Sequence, residues 1–328
     1  MASEPRWHAT AYWTTAPGHG ELRQHGLQEP GAGEALVRTL YSGISRGTEL
    51  LVHRGGVPPQ VAERMRAPFQ EGALPGPVKY GYLNVGLVEE GPDDVRGRTV
   101  FCLYPHQDRY VVPATALTAV PDGVPPARAV LAGTVETAVN AAWDAAPRLG
   151  DRVAVVGAGM VGAAVAGVLR RFPLDRLELV DVDARREEVA DRLGVTFTTP
   201  EAANDDCDVV FHCSASGAGL SRGLELLGEE GELVELSWYG DRQVAVDLGG
   251  AFHARRLRIT ASQVGAVARA RRARRSYGER MALALEILGD DAFDALLSGH
   301  VPFADLPETM NRLAQGDLNA LCYVVNYP

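Results

Sequence analysis

The chain is poor in cysteine: it has four, at positions 102, 207, 213 and 322, and no two of them form a Cys-x-x-Cys pair. That pattern is typical of the reducing cytoplasm and argues against both a disulfide framework and a zinc knuckle. The sequence also lacks any apolar run of about 18 residues, the minimum for a membrane span, and it begins without the basic and apolar segments of a secretory signal. We therefore expect a cytoplasmic protein with no membrane segment.

The chain also has fewer basic than acidic residues. With 32 basic and 42 acidic residues the formal net charge is −10, which argues against nucleic acid as a partner because neutralising phosphates requires clustered cations. The hydrophobic share of 46% and the charged share of 23% are ordinary for a globular protein. Because 328 residues exceed what one hydrophobic core usually serves, we expect two domains.

The most informative stretch lies near the middle of the chain. A β-branched apolar run, predicted as a strand over Arg152–Val156, leads into the glycine pattern Gly157-x-Gly159-x-x-Gly162, which opens a predicted helix over Val161–Arg171. In such a pattern the first glycine permits a tight turn, the second lets the backbone approach a diphosphate, and the third lets the helix pack close to the strand. The diphosphate then lies at the N-terminus of the helix, where free N–H groups favour negative charge.

A second predicted strand, Leu177–Val180, ends in Asp181, which comes 24 residues after Gly157. An acid at this position of a strand–helix–strand unit can accept hydrogen bonds from the ribose hydroxyls of a dinucleotide. The glycine pattern alone is weak evidence, but its context on both sides predicts a dinucleotide site.

The front of the chain, up to about residue 120, consists of short β-like runs separated by Gly and Pro, which favours a small barrel or an irregular sheet. From about residue 128 predicted helices alternate with predicted strands, so the fold class is α/β with a parallel sheet covered by helices on both faces. The helices predicted in this part cover Ala129–Ala146, Val161–Arg171, Arg185–Leu193 and Arg280–Leu288. The strands predicted there cover Arg152–Val156, Leu177–Val180, Asp208–His212, Glu232–Leu236, Leu257–Ala261 and Leu321–Val325.

With these elements placed, the chain resembles the medium-chain dehydrogenase/reductase superfamily, the group of the zinc-type alcohol dehydrogenases. The resemblance covers nearly the whole length and rests on Leu149–Gly162, Val180–Asp183 and Glu235–Gly240; at the front, Tyr41–Glu49 is similar to the bacteriochlorophyllide a dehydrogenase branch. It implies a Rossmann doubly wound parallel sheet inserted in a GroES-like, β-rich catalytic domain. The expected domains are 1–133 (catalytic), 134–265 (dinucleotide-binding) and 266–328 (C-terminal part of the catalytic domain).

The chain departs from this family at the zinc ligands. Where the family has its first and second catalytic ligands, a cysteine and a histidine, this chain has Ser45 and Tyr82. The helix of the third ligand offers Gly133–Glu136 without a cysteine, and Phe101–Tyr110 replaces the four-cysteine loop of the structural zinc. Serine and neutral tyrosine are poor Zn²⁺ ligands, so we expect no zinc and no metal site. The alternative is an unusual site built from His53, Glu136 or His106.

Without a metal, hydrogen-bond donors have to manage the charge on the reacting oxygen. By resemblance, Thr48 occupies the position of the family's proton-relay hydroxyl, Tyr82 faces the cleft, and Glu49 stands where the family has a supporting acid. His106 follows a stretch that lines the substrate pocket in relatives, and histidine can titrate near neutrality. Structural roles stay open for all four: a turn or cap hydroxyl, a core aromatic, an exposed carboxylate and a surface-loop histidine, respectively.

The resemblance also implies the cofactor contacts. Asp181 favours NAD over NADP because a carboxylate repels a 2′-phosphate, whereas Arg185 and Arg186 leave NADP open. The predicted cofactor-binding residues are Arg46, Thr137, Gly157, Gly159, Met160, Val161, Gly162, Asp181, Arg186, Ser214, Ser237, Trp238 and Ser262.

Together these observations predict a zinc-independent, NAD(P)-dependent oxidoreductase that transfers a hydride between nicotinamide and an alcohol or ketone of a small, specialised-metabolism substrate. We expect it to form a homodimer. The alternatives are a reductase of activated C=C bonds, as in quinone reductases, and a non-catalytic dinucleotide-binding sensor or scaffold. The resemblance implies no role for six arginines between residues 269 and 280. They predict a solvated surface or an interface, or else an anion site.

Overall fold

The computed structural model describes residues 6–328. The chain forms two compact units: the first takes the residues up to Gly133 together with Leu297–Pro328, and the second takes Thr134–Leu296. The sequence-based division assigned all of 266–328 to the catalytic domain, whereas the structure divides this stretch between the two units. The physical reason is the buried guanidinium of Arg280, whose Nε donates to Glu136 Oε1 at 3.0 Å inside the second unit.

The strands, in chain order, are β1 (Trp7–Ala16), β2 (His19–Leu27), β3 (Glu34–Gly43), β4 (Glu71–Gly72), β5 (Val78–Lys79), β6 (Asn84–Glu90), β7 (Thr99–Cys102), β8 (Arg109–Pro113), β9 (Thr118–Ala119), β10 (Arg152–Val156), β11 (Arg176–Val180), β12 (Thr196–Thr198), β13 (Cys207–His212), β14 (Leu227–Glu235), β15 (Arg258–Ala261), β16 (Leu297–Pro302) and β17 (Cys322–Asn326). The helices are α1 (Arg46–His53), α2 (Pro126–Ala129), α3 (Ala132–Ala145), α4 (Met160–Leu169), α5 (Glu187–Leu193), α6 (Gly217–Leu226), α7 (Ala251–Ala254), α8 (Tyr277–Ile287) and α9 (Leu306–Gln315). Turns of 3₁₀ helix cover Pro59–Val61, Ala114–Ala116, Ala184–Arg186, Asp291–Leu296 and Phe303–Asp305.

The first unit is rich in β-structure. One sheet has the order β2-β1-β5-β4, and a second has the order β16-β17-β3-β6-β7-β9 with β8 paired to β3. Inward-facing residues of the second sheet, among them Val37, Val100 and Tyr110, form one buried cluster. A separate apolar cluster joins Leu50 of α1 to Met310 of α9. The β-rich front predicted from the short runs is thus present, and the C-terminal strand β17 completes it by pairing with β3.

The second unit contains a six-stranded sheet in the order β12-β11-β10-β13-β14-β15, and every neighbouring pair is parallel. Relative to the first strand of the unit this order is 3-2-1-4-5-6, which defines the Rossmann doubly wound topology. Residues 153–156 of β10 are all buried because a central parallel strand has helices on both faces. The α/β prediction is therefore confirmed, and the carboxyl ends of β10, β11, β13, β14 and β15 lie along one edge of the sheet.

In the part of the chain that the structure describes, residues 6–328, no helix is both long enough and apolar enough to cross a membrane.

Candidate active site

The glycine pattern forms the connection between β10 and α4. Gly157 has φ +104°, and a Cβ added there would lie 2.6 Å from the backbone nitrogen of Ser214, so both the conformation and the close approach require glycine. A Cβ on Gly162 would lie 1.8 Å from the carbonyl oxygen of Gly157, which shows how closely α4 packs on the strand. Gly159, the N-cap of α4, is different: a Cβ there meets nothing within 4 Å. Open space therefore lies beside Gly159 at the N-terminus of α4, whose first turn contains Met160 and Val161.

Asp181 follows β11 and lies against this glycine loop. Its Oδ2 accepts a hydrogen bond from the backbone nitrogen of Ala158 at 2.6 Å, and its Oδ1 accepts one from the nitrogen of Asp183 at 2.9 Å. Arg186, at the end of the next 3₁₀ turn, lies 3.6 Å from the carboxylate of Asp183. The structure thus brings Asp181 and the glycine loop together, with Arg186 in the loop that follows the same strand.

The remaining predicted cofactor-binding residues of the second unit are distributed along the sheet edge. Ser214 follows β13, Ser237 and Trp238 follow β14, and Ser262 follows β15. Ser262 Oγ donates to Asp144 Oδ2 at 2.7 Å. Thr137 lies in helix α3. Arg46 belongs to the first unit, where it begins α1 and donates to the carbonyl oxygen of Ala320 at 3.3 Å.

A polar cluster occupies the ends of β13 and β14, and we call it the His212 cluster, formed by His212, Ser214, Glu235, Ser237 and Tyr239. Only Ser214 and Ser237 of this cluster were predicted from the sequence. The imidazole of His212 is fully buried, with Nδ1 2.8 Å from Glu235 Oε2 and Nε2 2.7 Å from Ser214 Oγ. Glu235 also accepts from the backbone nitrogen of Ser237 at 2.7 Å and from the hydroxyl of Tyr239 at 3.0 Å. Burial opposes the charge of Glu235, but hydrogen bonding and attraction by His212, helped by Ser237, outweigh it and lower the pKa of this carboxyl.

The sequence does carry a signal for this cluster. The apolar runs Val209–Phe211 and Leu233–Val234 each end in a residue that can carry charge, at corresponding positions of successive buried strands. Polar side chains at the ends of otherwise apolar parallel strands point to the ligand edge of the sheet.

In the first unit the structure brings Glu49 and His106 together. Both side chains are buried, 3% and 1% exposed, and His106 Nε2 lies 2.7 Å from Glu49 Oε2. The other carboxylate oxygen accepts from the backbone nitrogen of Ser45 at 2.8 Å, while His106 Nδ1 lies 2.6 Å from Ser42 Oγ, which in turn contacts the hydroxyl of Tyr327 at 2.9 Å. The predictions of His106 as a surface histidine and of Glu49 as an exposed carboxylate are therefore wrong, because both side chains are buried and contact each other.

Ser45 and Tyr82, the two residues that the sequence analysis predicted in place of metal ligands, contact each other. The hydroxyl of Tyr82 donates to Ser45 Oγ at 2.6 Å. Burial and the nearby charge of Glu49 raise the pKa of Tyr82 to about 12, although hydrogen bonds with Ser45 and Thr48 act in the opposite direction. Thr48 lies half-buried in α1 beside them. Thr48, Tyr82, Glu49 and His106 thus belong to one region of the first unit, in which Thr48 contacts Tyr82 and Ser45 connects Tyr82 to Glu49.

The alternative metal ligands lie in separate surroundings. Glu136 pairs with Arg280, and the imidazole of His53 lies between Tyr12 and Asn311. Across residues 6–328 no group of three or more His, Cys, Asp or Glu side chains is arranged to hold a metal ion.

The arginine-rich stretch separates into two environments. Arg280 is buried, and it donates to Glu136, Asn140 and the carbonyl oxygen of Val264. The remaining arginines of the stretch are exposed, namely Arg269, Arg271, Arg272, Arg274 and Arg275. Arg280 therefore belongs to the core of the second unit and not to a charged surface.

No protein-family model and no curated protein sequence matches the chain. Solved structures do match over nearly the full length. L-idonate 5-dehydrogenase from Escherichia coli is 15% identical with a TM-score of 0.79, covering 98% of each chain. Acetophenone reductase from Geotrichum candidum in complex with NAD is 17% identical with a TM-score of 0.78, covering 99% of this chain and 98% of the other. A 2R,3R-butanediol dehydrogenase from Bacillus subtilis is 16% identical with a TM-score of 0.76, covering 97% and 99%. The chain therefore shares the fold of these dehydrogenases.

Proposed function

We propose that this protein is an NAD(P)-dependent oxidoreductase that interconverts an alcohol and a ketone of a small molecule without zinc. The second unit binds the dinucleotide, and the β-rich unit supplies the groups that act on the substrate oxygen. The fold similarity to an alcohol-forming reductase in complex with NAD and to two alcohol dehydrogenases supports this class of reaction.

The observation that carries the proposal is the open cradle at Gly159. A Cβ added at Gly159, the N-cap of α4, meets nothing within 4 Å, and the backbone there offers N–H groups and the positive end of a helix dipole, as an anionic diphosphate requires. Asp181 lies against the same loop, held by Ala158, with its carboxylate placed to accept from ribose hydroxyls. A bound nicotinamide dinucleotide supplies hydride chemistry at this site.

The choice between NAD and NADP follows from charge. Asp181 disfavours a 2′-phosphate, and the guanidinium of Arg186 lies 3.6 Å from Asp183, so part of its charge is already compensated. We therefore propose NAD as the preferred cofactor.

On the substrate side, Ser45 and Thr48 act as hydrogen-bond donors, and Tyr82 donates to Ser45 and holds it in place. With a pKa of about 12 the phenol of Tyr82 stays protonated at neutral pH, so it serves as a donor and not as a base. Tyr82 donates its hydroxyl hydrogen to Ser45 Oγ, so it fixes the orientation of the Ser45 hydroxyl and leaves the hydrogen of Ser45 for a substrate oxygen. Fixed donors of this kind stabilise the negative charge that develops on the oxygen when a carbonyl is reduced. Glu49 accepts from the backbone nitrogen of Ser45 and is itself paired with His106, so this buried pair holds Ser45 in place.

Zinc independence is supported by the chemistry of the same residues. Ser45 and Tyr82 are neutral hydroxyl groups bonded to each other, and such groups compete poorly with thiolate and imidazole for Zn²⁺.

Steady-state oxidation of NADH against a panel of ketones, aldehydes and enones tests the proposal, with Gly159→Leu as the cofactor-binding control. We expect turnover of at least one ketone or aldehyde, unaffected by a chelator, in protein that contains far less than one zinc per chain. Turnover confined to enones would identify a C=C reductase instead, and tight NADH binding without any turnover would identify a non-catalytic binding protein. One tightly bound zinc whose removal abolishes turnover would contradict the metal-free mechanism.

A further inference from the structure

The His212 cluster places two ionisable side chains where a parallel sheet is normally apolar. His212 and Glu235 are direct register partners, at the last pairing between β13 and β14. Burying polar groups is unfavourable unless they are paired, and replacing a buried ionic pair by apolar residues is often neutral or even stabilising. The stability of the sheet therefore does not explain why these two residues are present. Their position in the fold offers an explanation instead.

That position is the carboxyl edge of the second half of the Rossmann sheet. A doubly wound sheet consists of two mononucleotide-binding halves, and its ligands lie outside the carboxyl ends of the strands. The first half, β10 to β12, carries the glycine loop and Asp181, which fit a diphosphate and an adenosine ribose. The second half, which contains β13 and β14, is then available for the nicotinamide riboside of the same dinucleotide.

The cluster ties together the two loops at this position. Nε2 of His212 contacts Ser214 Oγ, and Nδ1 contacts Glu235 of the neighbouring strand. Glu235 then accepts from the backbone of Ser237, and Ser237 Oγ accepts from the backbone nitrogen of Ala215 at 3.1 Å. Every loop that leaves this part of the edge is thereby held by one buried imidazole and one carboxylate.

The geometry is sensitive to small changes. A Cβ on Gly219, in the first turn of α6, would lie 2.2 Å from Ser214 Oγ and 3.0 Å from His212 Nε2, so the helix end packs directly on the cluster. Because hydroxyl groups at such an edge recognise ribose hydroxyls and amides by hydrogen bonds, their placement determines how well a ligand is held.

We propose that His212, Glu235 and Tyr239 are positioning residues for the nicotinamide riboside half of the dinucleotide, acting by fixing Ser214 and Ser237 at the ends of β13 and β14. The inference rests on the proposed function, and it assigns a role to a buried pair that the catalytic argument does not use.

The experiment compares two ligands that share the adenosine and diphosphate but differ in the nicotinamide riboside, namely NADH and ADP. Dissociation constants are measured by titration for the wild type, Glu235→Gln and Tyr239→Phe. Glu232→Gln is the matched control, because Glu232 is a half-buried glutamate on the same strand that binds Thr260 instead of the cluster. We expect Glu235→Gln to raise the Kd for NADH about tenfold, Tyr239→Phe to raise it about threefold, and the Kd for ADP to change less than twofold in both. Glu232→Gln leaves both constants unchanged.

Folding is followed separately by thermal unfolding, and the double variant His212→Leu with Glu235→Leu covers the case in which Glu235→Gln does not fold. If that double variant unfolds at the wild-type temperature yet binds NADH as tightly as the wild type, the cluster has no positioning role. Equal losses for NADH and ADP would also overturn the proposal, because they show a general disturbance of the sheet edge. A wild type that binds neither ligand overturns the proposed function itself, which distinguishes the two failures.

Discussion

The glycine pattern predicts two opposite outcomes for two neighbouring substitutions. Gly159 has φ −73° and ψ −175°, which any residue adopts, and a Cβ there meets nothing within 4 Å. We therefore expect Gly159→Leu to change the free energy of unfolding by less than about 1 kcal/mol, as for other substitutions that disturb no contact. The leucine side chain would fill the space in which we propose that the diphosphate lies. The Kd for NADH should therefore rise at least about 100-fold, equivalent to about 2.7 kcal/mol.

Gly162→Ala should behave in the reverse way. Its Cβ would lie 1.8 Å from the carbonyl oxygen of Gly157 and 3.3 Å from the Cβ of Cys213. A backbone atom cannot move aside as a flexible side chain can, so α4 has to separate from β10. Overpacking of this kind costs about 1–3 kcal/mol, which corresponds to a Tm lower by roughly 3–10 °C for a unit of this size.

The assay combines thermal unfolding without ligand and titration with NADH for both variants. Gly278→Leu is the control, since this exposed glycine of α8 also has nothing within 4 Å of an added Cβ. It should leave both the Tm and the NADH affinity close to wild type. Unchanged NADH affinity in Gly159→Leu, or an unchanged Tm in Gly162→Ala, would refute the assignment of these glycines.

Asp181→Ser should weaken NADH binding in titration calorimetry and reduce any preference for NADH over NADPH, because it removes both a ribose acceptor and a charge that repels a 2′-phosphate. An unchanged NADH affinity would show that this strand end does not touch the cofactor. Thr48→Val and Tyr82→Phe should each lower turnover on the order of 10²-fold at nearly constant NADH affinity, since each deletes one fixed donor, and near-wild-type rates in both would exclude them. Elemental analysis should find no stoichiometric zinc. Hydrogen bonding from Arg152 lowers the pKa of Asp208 below its ordinary 3.8, so the stability that this pair contributes is present at neutral pH and is lost as the pH falls through the lowered value. Asp208→Asn should flatten the acid limb of stability against pH, and an identical acid limb in wild type and variant would contradict this.

Elements whose determinants are local agree closely with expectation. The predicted strand Arg152–Val156 is β10 to the residue, and the predicted helix over Val161–Arg171 is α4 displaced by one or two residues. The apolar β-branched run, the turn glycine and the small-residue helix all lie within about 20 residues, so their interactions are visible in the order of the sequence. The C-terminal helix α9 was not predicted, although Pro307 at its start and Gly316 at its end mark it.

The chemical groups of the first unit depended on contacts over long separations. Glu49 and His106 are 57 positions apart, and from the sequence alone each could equally be an ordinary surface residue. Only the packing of the first unit shows that both side chains are buried and contact each other. The same holds for Arg280, which looked like part of a charged surface until the fold placed it against Glu136, 144 positions away.

The sequence by itself determined the class of fold and the glycine loop with Asp181 at the adjacent strand end. These follow from residue type and short spacing, because backbone geometry at glycine and the polarity of a side chain are intrinsic to the residue. The tertiary structure decided which polar groups meet: Ser45 with Tyr82, Glu49 with His106, and His212 with Glu235. Such pairs form only when distant segments are packed together. Because an unpaired buried polar group is unfavourable, each of these groups needs a partner that is close in the fold, whatever its distance along the chain.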